Sequence, residues 1–359
     1  MEDLEKKIRV LIVDDSKFMR DLLEKILSAD PDILIVGKAS DPYIARDLIK
    51  KVCPHLLTLD VMMPGMDGIT FLKNLMRLHP LPVVMISSLT EQGSSIALEA
   101  LALGAVDYSS KPSTDELGNI QAYAKKIIQM IKNAAKAKVS VKNYSENTKS
   151  YLENAIYESD FLKKHLIAIG SSTGGIEAIE SIFRQLPKTF PGIVLTQHIR
   201  QDFVTPFANR INKLCRLKVI EAKEGDAIMS GCVYIAPSDY HLVVKSREDY
   251  FYCTLENTPP ISGHRPSVDA LFHSVAESAG SRGIGVLLTG MGRDGANGAK
   301  EIHDAGGIVI AQDEETSIVW GMPGAAVELK AADFVTPLQD IPEQLFQILD
   351  KMAQTKETF

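Results

Sequence analysis

The stretch "HLIAIGSSTGGIEAIESIF", residues 165–183, contains a short apolar run, a glycine-rich turn and a helical pattern in succession. The run "LIAIG" has the length and composition of a buried strand. A buried strand that passes through a tight turn into a helix is the repeating unit of parallel α/β sheets. This stretch therefore predicts an α/β fold for the chain around it.

The same alternation of strands and helices extends on both sides of this stretch. Upstream, strands are predicted at "IRVLIV", "ILIVGKA", "LLTLD", "PVVMISS" and "AVDYSS". Downstream, they are predicted at "GIVLTQ", "VYIAPS", "HLVV", "IGVLLTG" and "GIVIAQ", with a helix at residues 267–278. The pattern predicts two parallel sheets, each covered by helices on both faces.

Chain length and a change in composition predict two domains. The chain has 359 residues, 45% of them hydrophobic, which exceeds the size of one typical core. Residues 137–164 are rich in lysine and serine and have no sustained apolar stripe, as expected of a linker with one helical turn at most. We therefore predict a doubly wound domain at 1–132, a linker at 133–163 and a second α/β domain at 164–354.

Composition excludes several classes of function. The net charge of −7 gives no electrostatic reason to expect nucleic acid or an anionic membrane as a partner. The opening "MEDLEKK" does not predict a signal peptide, and no apolar run is long enough to insert into a membrane. The cysteines lie far apart without a CxxC pair, so neither zinc nor disulfides are expected, and a cytoplasmic location fits best. They are Cys53, Cys215, Cys232 and Cys253.

Polar side chains follow several strands of the predicted first sheet. Asp14 and Asp15 follow the first strand and Asp60 ends the third. Ser87 and Lys111 reach the same carboxyl edge, where open α/β sheets bind ligands. Crowded carboxylates repel one another unless a cation lies among them, and Mg²⁺ prefers such oxygen ligands. A carboxylate beside a metal and a lysine can accept a phosphoryl group.

Four motifs of this domain closely resemble the receiver domain of two-component response regulators: "VLIVDDSKFMR", "LDVMMPGMDG", "MISSLT" and "YSSKP". The resemblance covers residues 8–125 and implies a flavodoxin-like fold. It also implies Asp60 as the phosphoacceptor, Mg²⁺ as cofactor and a phosphohistidine on a kinase as donor. The further residues it assigns are Asp14, Asp15, Asp60 and the Met62 carbonyl for the metal, and Ser87, Tyr108 and Lys111 for the phosphoryl group and the switch.

The glycine-rich turn after "LIAIG" does not match a phosphate-binding loop. No lysine follows Gly175 as a Walker motif requires, and the spacing differs from G-x-G-x-x-G. The turn does match G-x-S-x-G at residues 170–174, which places Ser172 on a sharp bend between a strand and a helix. The free N–H groups of that helix favour a developing oxyanion. A plain structural turn remains an equal alternative unless a base is found.

A base and an acid are available at the ends of other predicted strands. His198 follows "GIVLTQ", whereas His241 begins a strand and His264 lies in a loop before a helix. Asp294 follows "IGVLLTG" in a glycine-dense turn before a helix. Singly, His198 could be structural and Asp294 could be a helix N-cap. Together with Ser172 they form the residue set of a Ser-His-Asp triad.

The order serine, histidine, aspartate differs from that of α/β hydrolases. Residues 162–352 instead resemble the catalytic domain of the CheB family of chemotaxis methylesterases, through "IGSSTGGIEA", "TQHI", "VYIAPSDYHL", "HRPSVDALF", "LTGMGRDGA" and "GMPGAA". The resemblance implies a Rossmann-like fold and the triad Ser172, His198 and Asp294, with Thr173 and the Met291 N–H near the oxyanion. The segment "HIRQDF" departs from the methionine-proline pairing that follows the base in many members.

The resemblance thus implies a phosphorylation-activated hydrolase that removes methyl groups from glutamate esters of chemoreceptors. Deamidation of receptor glutamines is implied as well, and no cofactor is expected for hydrolysis. A phosphorylation-dependent binding module with a vestigial hydrolase site is the alternative, and the intact serine, histidine and aspartate argue against it. An esterase of small molecules is a second alternative.

Overall fold

The computed structural model describes residues 7–88, 91–112, 120–139, 159–248 and 250–355. The chain divides into two compact units, residues 1–144 and 145–359. Most of the predicted linker lies outside the described residues. Within its described part, the first helix of the second unit begins at Ser159.

The first unit is a five-stranded parallel sheet in the order β2-β1-β3-β4-β5. Its strands are β1 (Ile8–Val13), β2 (Ile33–Ala39), β3 (Leu56–Leu59), β4 (Val83–Ser87) and β5 (Asp107–Ser110). Its helices are α1 (Lys17–Leu27), α2 (Pro42–Val52), α3 (Gly68–Leu78), α4 (Glu91–Ala102) and α5 (Ile120–Ala134). All five strands lie where the sequence predicts them.

The connections of this sheet reverse direction between β1 and β3. Ligands of open α/β sheets bind outside the carboxyl ends of the strands at such a reversal. Asp14 directly follows β1 and Asp60 directly follows β3, which places both residues at that point. The fold of the first unit therefore brings the predicted acidic residues together.

The second unit contains a seven-stranded parallel sheet in the order β14-β13-β12-β6-β7-β9-β8. Its strands are β6 (Leu166–Ser171), β7 (Gly192–Gln197), β8 (Lys218–Glu221), β9 (Cys232–Ile235), β12 (Gly283–Leu287), β13 (Ile308–Gln312) and β14 (Phe334–Thr336). Two further strands, β10 (His241–Arg247) and β11 (Tyr250–Glu256), form a separate antiparallel hairpin.

Seven α-helices accompany these strands within the described part of the second unit. They are α6 (Ser159–Lys164), α7 (Gly175–Phe183), α8 (Gln201–Asn212), α9 (Val268–Ala279), α10 (Ala296–Asp304), α11 (Met322–Glu328) and α12 (Ile341–Thr355). Helix α9 packs against the hairpin, and Leu242 and Val244 share a buried cluster with Leu271 and Val275. No described helix is both long enough and apolar enough to cross a membrane.

The sequence prediction for "HLVV" was right in type and wrong in placement, because this strand belongs to the hairpin and not to the parallel sheet. All four residues of this segment are buried, so its apolar run does not distinguish a hairpin strand from a strand of the parallel sheet. Strands β8, β11 and β14 have no counterpart in the prediction.

Candidate phosphorylation and hydrolytic sites

Three carboxylates of the first unit face one another at the sheet edge. Asp14, Asp15 and Asp60 each present a ligand atom within 4.8 Å of the others. Lys111 Nζ lies 2.7 Å from Asp60 Oδ2 and 2.9 Å from Asp14 Oδ2. Three carboxylates facing one ammonium leave an excess of negative charge, and oxygen ligands suit a hard cation, so these residues fit Mg²⁺.

The surroundings of this cluster explain its electrostatics. Asp14 and Asp60 are almost fully buried, whereas Asp15 is exposed. Burial raises the pKa of Asp14 above its ordinary value, although Lys111 acts in the opposite direction. Burial opposes the charged form of Lys111, but its contacts with Asp60 and Asp14 outweigh burial and raise its pKa. The lysine therefore stays protonated beside Asp60 and Asp14.

The other residues assigned to this site lie around the same edge. Ser87 ends β4 and is buried, and its carbonyl accepts hydrogen bonds from the Lys111 N–H at 2.9 Å and the Tyr108 hydroxyl at 3.4 Å. Met62 lies two residues after Asp60, with 67% of its surface exposed. Tyr108 and Lys111 are thus both connected to the backbone of Ser87.

In the second unit, the turn after β6 exposes one of two adjacent serines. Ser171 is fully buried and donates its hydroxyl to Gln197 Oε1 at 2.5 Å. Ser172 is half-buried and begins the turn to α7. Gly174 has a φ of +79°, and a Cβ at Gly175 would lie 2.2 Å from Gln197 Oε1. Glycine is therefore required at both positions of this turn.

The neighbouring strand brings His198 beside Ser172. Ser171 and Gln197 are paired residues of β6 and β7, so Ser172 and His198 leave the same edge in parallel. The His198 N–H donates to Ser171 O at 3.1 Å, and Gln197 Nε2 donates to Ser172 O at 2.9 Å. These bonds fix the backbone of both residues.

Asp294 holds one nitrogen of His198. The distance from His198 Nε2 to Asp294 Oδ2 is 2.8 Å, and both side chains are at least nine-tenths buried. His198 Nδ1 is also buried and has no hydrogen-bond partner among the described residues. With Nε2 bound to the carboxylate, Nδ1 is the nitrogen left to accept a proton.

Four donors surround the Asp294 carboxylate. Besides His198, it accepts hydrogen bonds from Ser267 Oγ at 2.7 Å, Val268 N at 2.8 Å and Asp269 N at 3.0 Å. Burial alone would raise the pKa of Asp294, but these hydrogen bonds outweigh it and hold the pKa below its ordinary value. Asp294 therefore stays ionised opposite His198.

The alternative in which Asp294 caps the following helix is wrong. Asp269 Oδ1 instead accepts the N–H groups of Gly295 and Gly298, at 2.9 Å each, at the beginning of α10. The Asp294 carboxylate points to His198 and to the beginning of α9.

The two predicted oxyanion donors lie next to Ser172. A Cβ on Gly290, the residue before Met291, would lie 2.8 Å from Ser172 Cβ. The Gly290 carbonyl accepts from Met322 N at 2.9 Å, and Thr289 Oγ1 donates to Thr173 O at 3.0 Å. The Thr173 and Met291 N–H groups have no acceptor within the described ranges, so both can donate to a ligand.

Sequence reasoning missed His264 as part of this site. Its ring stacks on that of His198, with the ring centroids 3.9 Å apart and the planes 8° from parallel. Burial lowers the pKa of His264, and the neighbouring His198 adds to this effect. The position of His264 in a loop before a helix does not predict this contact from the sequence. Ser267 was also missed, although a serine before an apolar helical run is a recognisable N-cap signal.

The first unit contains an acidic cluster that faces a lysine, and the second contains a serine, a histidine and an aspartate. Together they define the class: a response regulator receiver joined to a hydrolase domain that is built on a parallel sheet. Residues 10–121 match the model of the response regulator receiver domain, and residues 167–345 match that of the CheB methylesterase. The chain belongs to the CheB methylesterase family.

Curated relatives and a solved structure agree with this assignment. The protein-glutamate methylesterase/protein-glutamine glutaminase of Hydrogenovibrio crunogenus is 47% identical over 96% of this chain and 100% of its own. An enzyme of the same description from Saccharophagus degradans is 49% identical over 95% of this chain and 99% of its own. The crystal structure of the Thermotoga maritima CheB methylesterase catalytic domain covers 51% of this chain and 98% of its own, with a TM-score of 0.50 and 40% identity.

Proposed function

We propose that the protein hydrolyses γ-glutamyl methyl esters of chemoreceptors and deamidates selected receptor glutamines, under the control of phosphorylation. The observation that carries the hydrolytic part is the pairing of His198 Nε2 with Asp294, which leaves the unpartnered Nδ1 to act as the base. The activities for which the relatives are named support the substrate class.

In the proposed reaction, His198 Nδ1 accepts the proton of the Ser172 hydroxyl while Ser172 Oγ attacks the γ-carbonyl carbon. The Thr173 and Met291 N–H groups donate to the oxyanion that forms. His198 then returns the proton to the leaving group, which departs as methanol from an ester or ammonia from an amide. Water, deprotonated by His198, hydrolyses the acyl-serine and releases glutamate. No cofactor takes part in these steps.

In the first unit, we assign Asp60 as the acceptor of a phosphoryl group from a histidine kinase. Mg²⁺ would be held by Asp14, Asp15, Asp60 and the Met62 carbonyl, and would neutralise the phosphoryl oxygens. Lys111 would bind one of those oxygens, while Ser87 and Tyr108 would change their contacts on phosphorylation of Asp60. The assigned regions are a receiver at 1–132, a linker at 133–163 and a catalytic domain at 164–354, in the cytoplasm.

The test is methanol release from methylated receptor membranes by the full-length chain. We expect Ser172→Ala to lower the rate by about 10⁴-fold or more, because no other attacking group is proposed. Ser171→Ala is the matched control and should retain measurable turnover, since Ser171 is buried and bound to Gln197. Release by Ser172→Ala at the wild-type rate would remove Ser172 as the nucleophile. Turnover of small esters but not of receptors would indicate a different substrate class.

A further inference from the structure

A second histidine is connected to Asp294 through one residue. His241 is the first residue of β10 and is fully buried. Its Nδ1 accepts the backbone N–H of Ser267 at 3.1 Å, and its Nε2 lies 3.1 Å from the carbonyl oxygen of Pro259. Both ring nitrogens of His241, which is outside the proposed triad, therefore have a partner.

These two contacts define the protonation state of His241. A backbone N–H can only donate, so Nδ1 is without a proton. A carbonyl oxygen can only accept, so Nε2 carries the proton. The ring is thus held as the neutral tautomer, and no ring flip preserves both hydrogen bonds.

Ser267 connects this ring to the carboxylate of Asp294. Its N–H donates to His241, while its hydroxyl donates to Asp294 Oδ1 at 2.7 Å. The next two residues, Val268 and Asp269, donate their backbone N–H groups to the same carboxylate. Three of the four bonds to Asp294 therefore come from the beginning of helix α9. His241 is the side chain that binds the backbone N–H at that point.

We infer that His241 is a positioning residue of the hydrolytic site: it fixes Ser267, which with the beginning of α9 orients Asp294 against His198. This inference rests on the proposed function of the triad. Loss of the acceptor at Nδ1 leaves the buried Ser267 N–H unpaired, and a buried donor without a partner favours a shift of its segment. Such a shift displaces the carboxylate that orients the base.

Two substitutions separate the two contacts of His241. In His241→Asn, the amide oxygen can take the place of Nδ1 and keep the bond to Ser267. In His241→Gln, the longer side chain places its amide near the position of Nε2 and keeps the contact with Pro259. We expect His241→Gln to lower kcat for methanol release by between about 10-fold and about 10⁴-fold at unchanged KM. His241→Asn should remain closer to wild type.

His165→Gln is the matched control. His165 is also buried in the second unit, and its Nδ1 lies 2.8 Å from the carbonyl oxygen of Phe161 in helix α6, away from the beginning of α9. We expect this variant to keep its kcat. The double variant His241→Gln/Ser267→Ala should lose less than the product of the single losses, because both changes act on one carboxylate.

A proton NMR measurement tests the positioning of Asp294 against His198 independently of methanol release. The low-field proton resonance of the His198–Asp294 hydrogen bond should move in His241→Gln and stay in place in His165→Gln. Equal kcat in His241→Asn and His241→Gln, or an unmoved resonance in His241→Gln, would overturn the inference. If wild type itself released no methanol, the proposed function would fail, and the resonance would still test the positioning of His198.

Discussion

At the scale of single residues, Ser171 and Ser172 differ in environment although they are adjacent. Ser171 is the last residue of β6, and its buried hydroxyl donates to Gln197 on the neighbouring strand. Ser172 follows on the turn, and because successive side chains of an extended chain point to opposite faces, its side chain does not share the environment of Ser171. The motif G-x-S-x-G predicted the exposed serine, because its central position falls on the turn. The stacked partner His264 was not predictable, because stacking depends on two loops that are far apart in sequence.

The lowered pKa of His264 gives a prediction about stability. The unfolded chain binds a proton at His264 below its ordinary pKa of about 6.5, whereas the folded chain resists it. The free energy of unfolding therefore decreases as the pH falls below that value. His264→Phe keeps an aromatic ring on His198 and removes this titration, so its stability should decrease less between about pH 7 and pH 5.5.

Urea titration followed by tryptophan fluorescence measures this effect in the second unit, since Trp320 is the single tryptophan of the chain. His303→Phe is a suitable control, because His303 lies on the exposed side of helix α10 beside Asp333. An equal decrease in wild type and in His264→Phe would contradict the prediction.

At the scale of elements, strands with uninterrupted apolar runs were predicted, whereas the two short edge strands of the second sheet were not. The apolar strands β6 and β12 are central and covered on both faces, which explains their runs. Strand β8 is an edge strand of only four residues, with exposed Lys218 at its beginning. Strand β14 is also at an edge and has three residues. Such short segments bury too few residues to leave a periodic signal.

The beginning of helix α10 gives a second prediction. Asp269 Oδ1 accepts two of its free N–H groups, from Gly295 and Gly298, and Ser262 Oγ donates to Oδ2 at 3.0 Å. Asp269→Ala leaves these donors without an acceptor and should lower the free energy of unfolding by about 1–3 kcal/mol. Urea titration followed at Trp320 measures the loss.

Asp304→Ala is the control for this prediction. Asp304 is at the other end of α10, has a side chain that is 59% exposed, and pairs with Lys300 alone among the residues that the structure describes. Its removal should change stability by less than about 0.5 kcal/mol. If both variants lost the same stability, Asp269 would not act as the cap of this helix.

At the scale of the whole molecule, the two candidate sites belong to different units. Asp60 lies in the first unit and Ser172 in the second. The carboxyl edges of both sheets could be predicted from sequence, because Asp60, Ser172 and His198 each directly follow a strand with an apolar run. In the proposed function, phosphorylation uses the carboxylate cluster and Lys111, whereas hydrolysis by Ser172, His198 and Asp294 uses neither. Phosphorylation and basal hydrolysis should therefore be separable.

Removal of the metal tests this separation. A chelator should abolish stimulation by a small-molecule phosphodonor, since the carboxylate cluster lacks a cation to neutralise the phosphoryl oxygens. Basal methanol release should be unchanged, because Ser172, His198 and Asp294 use no metal in the proposed reaction. Asp15→Ala should reproduce the effect of the chelator, since Asp15 is the exposed member of the cluster. Loss of basal release with the chelator would place a metal in the hydrolytic step.

Control of Ser172 by Asp60 is the last prediction. Phosphorylation replaces the single negative charge of the Asp60 carboxylate, which now pairs with Lys111, by a phosphoryl group that carries about two. It therefore changes the contacts of Lys111, Ser87 and Tyr108. Raising the active fraction of the second unit from about 1% to about 99% requires a bias of about 5.5 kcal/mol, and a smaller bias gives partial activation. We expect a phosphodonor to raise methanol release by wild type and to leave Asp60→Asn at its basal rate. Lys25→Gln, a surface change in helix α1, should respond as wild type does. Equal stimulation of wild type and Asp60→Asn would show that the donor acts elsewhere, and Asp60 would then have no role in controlling hydrolysis.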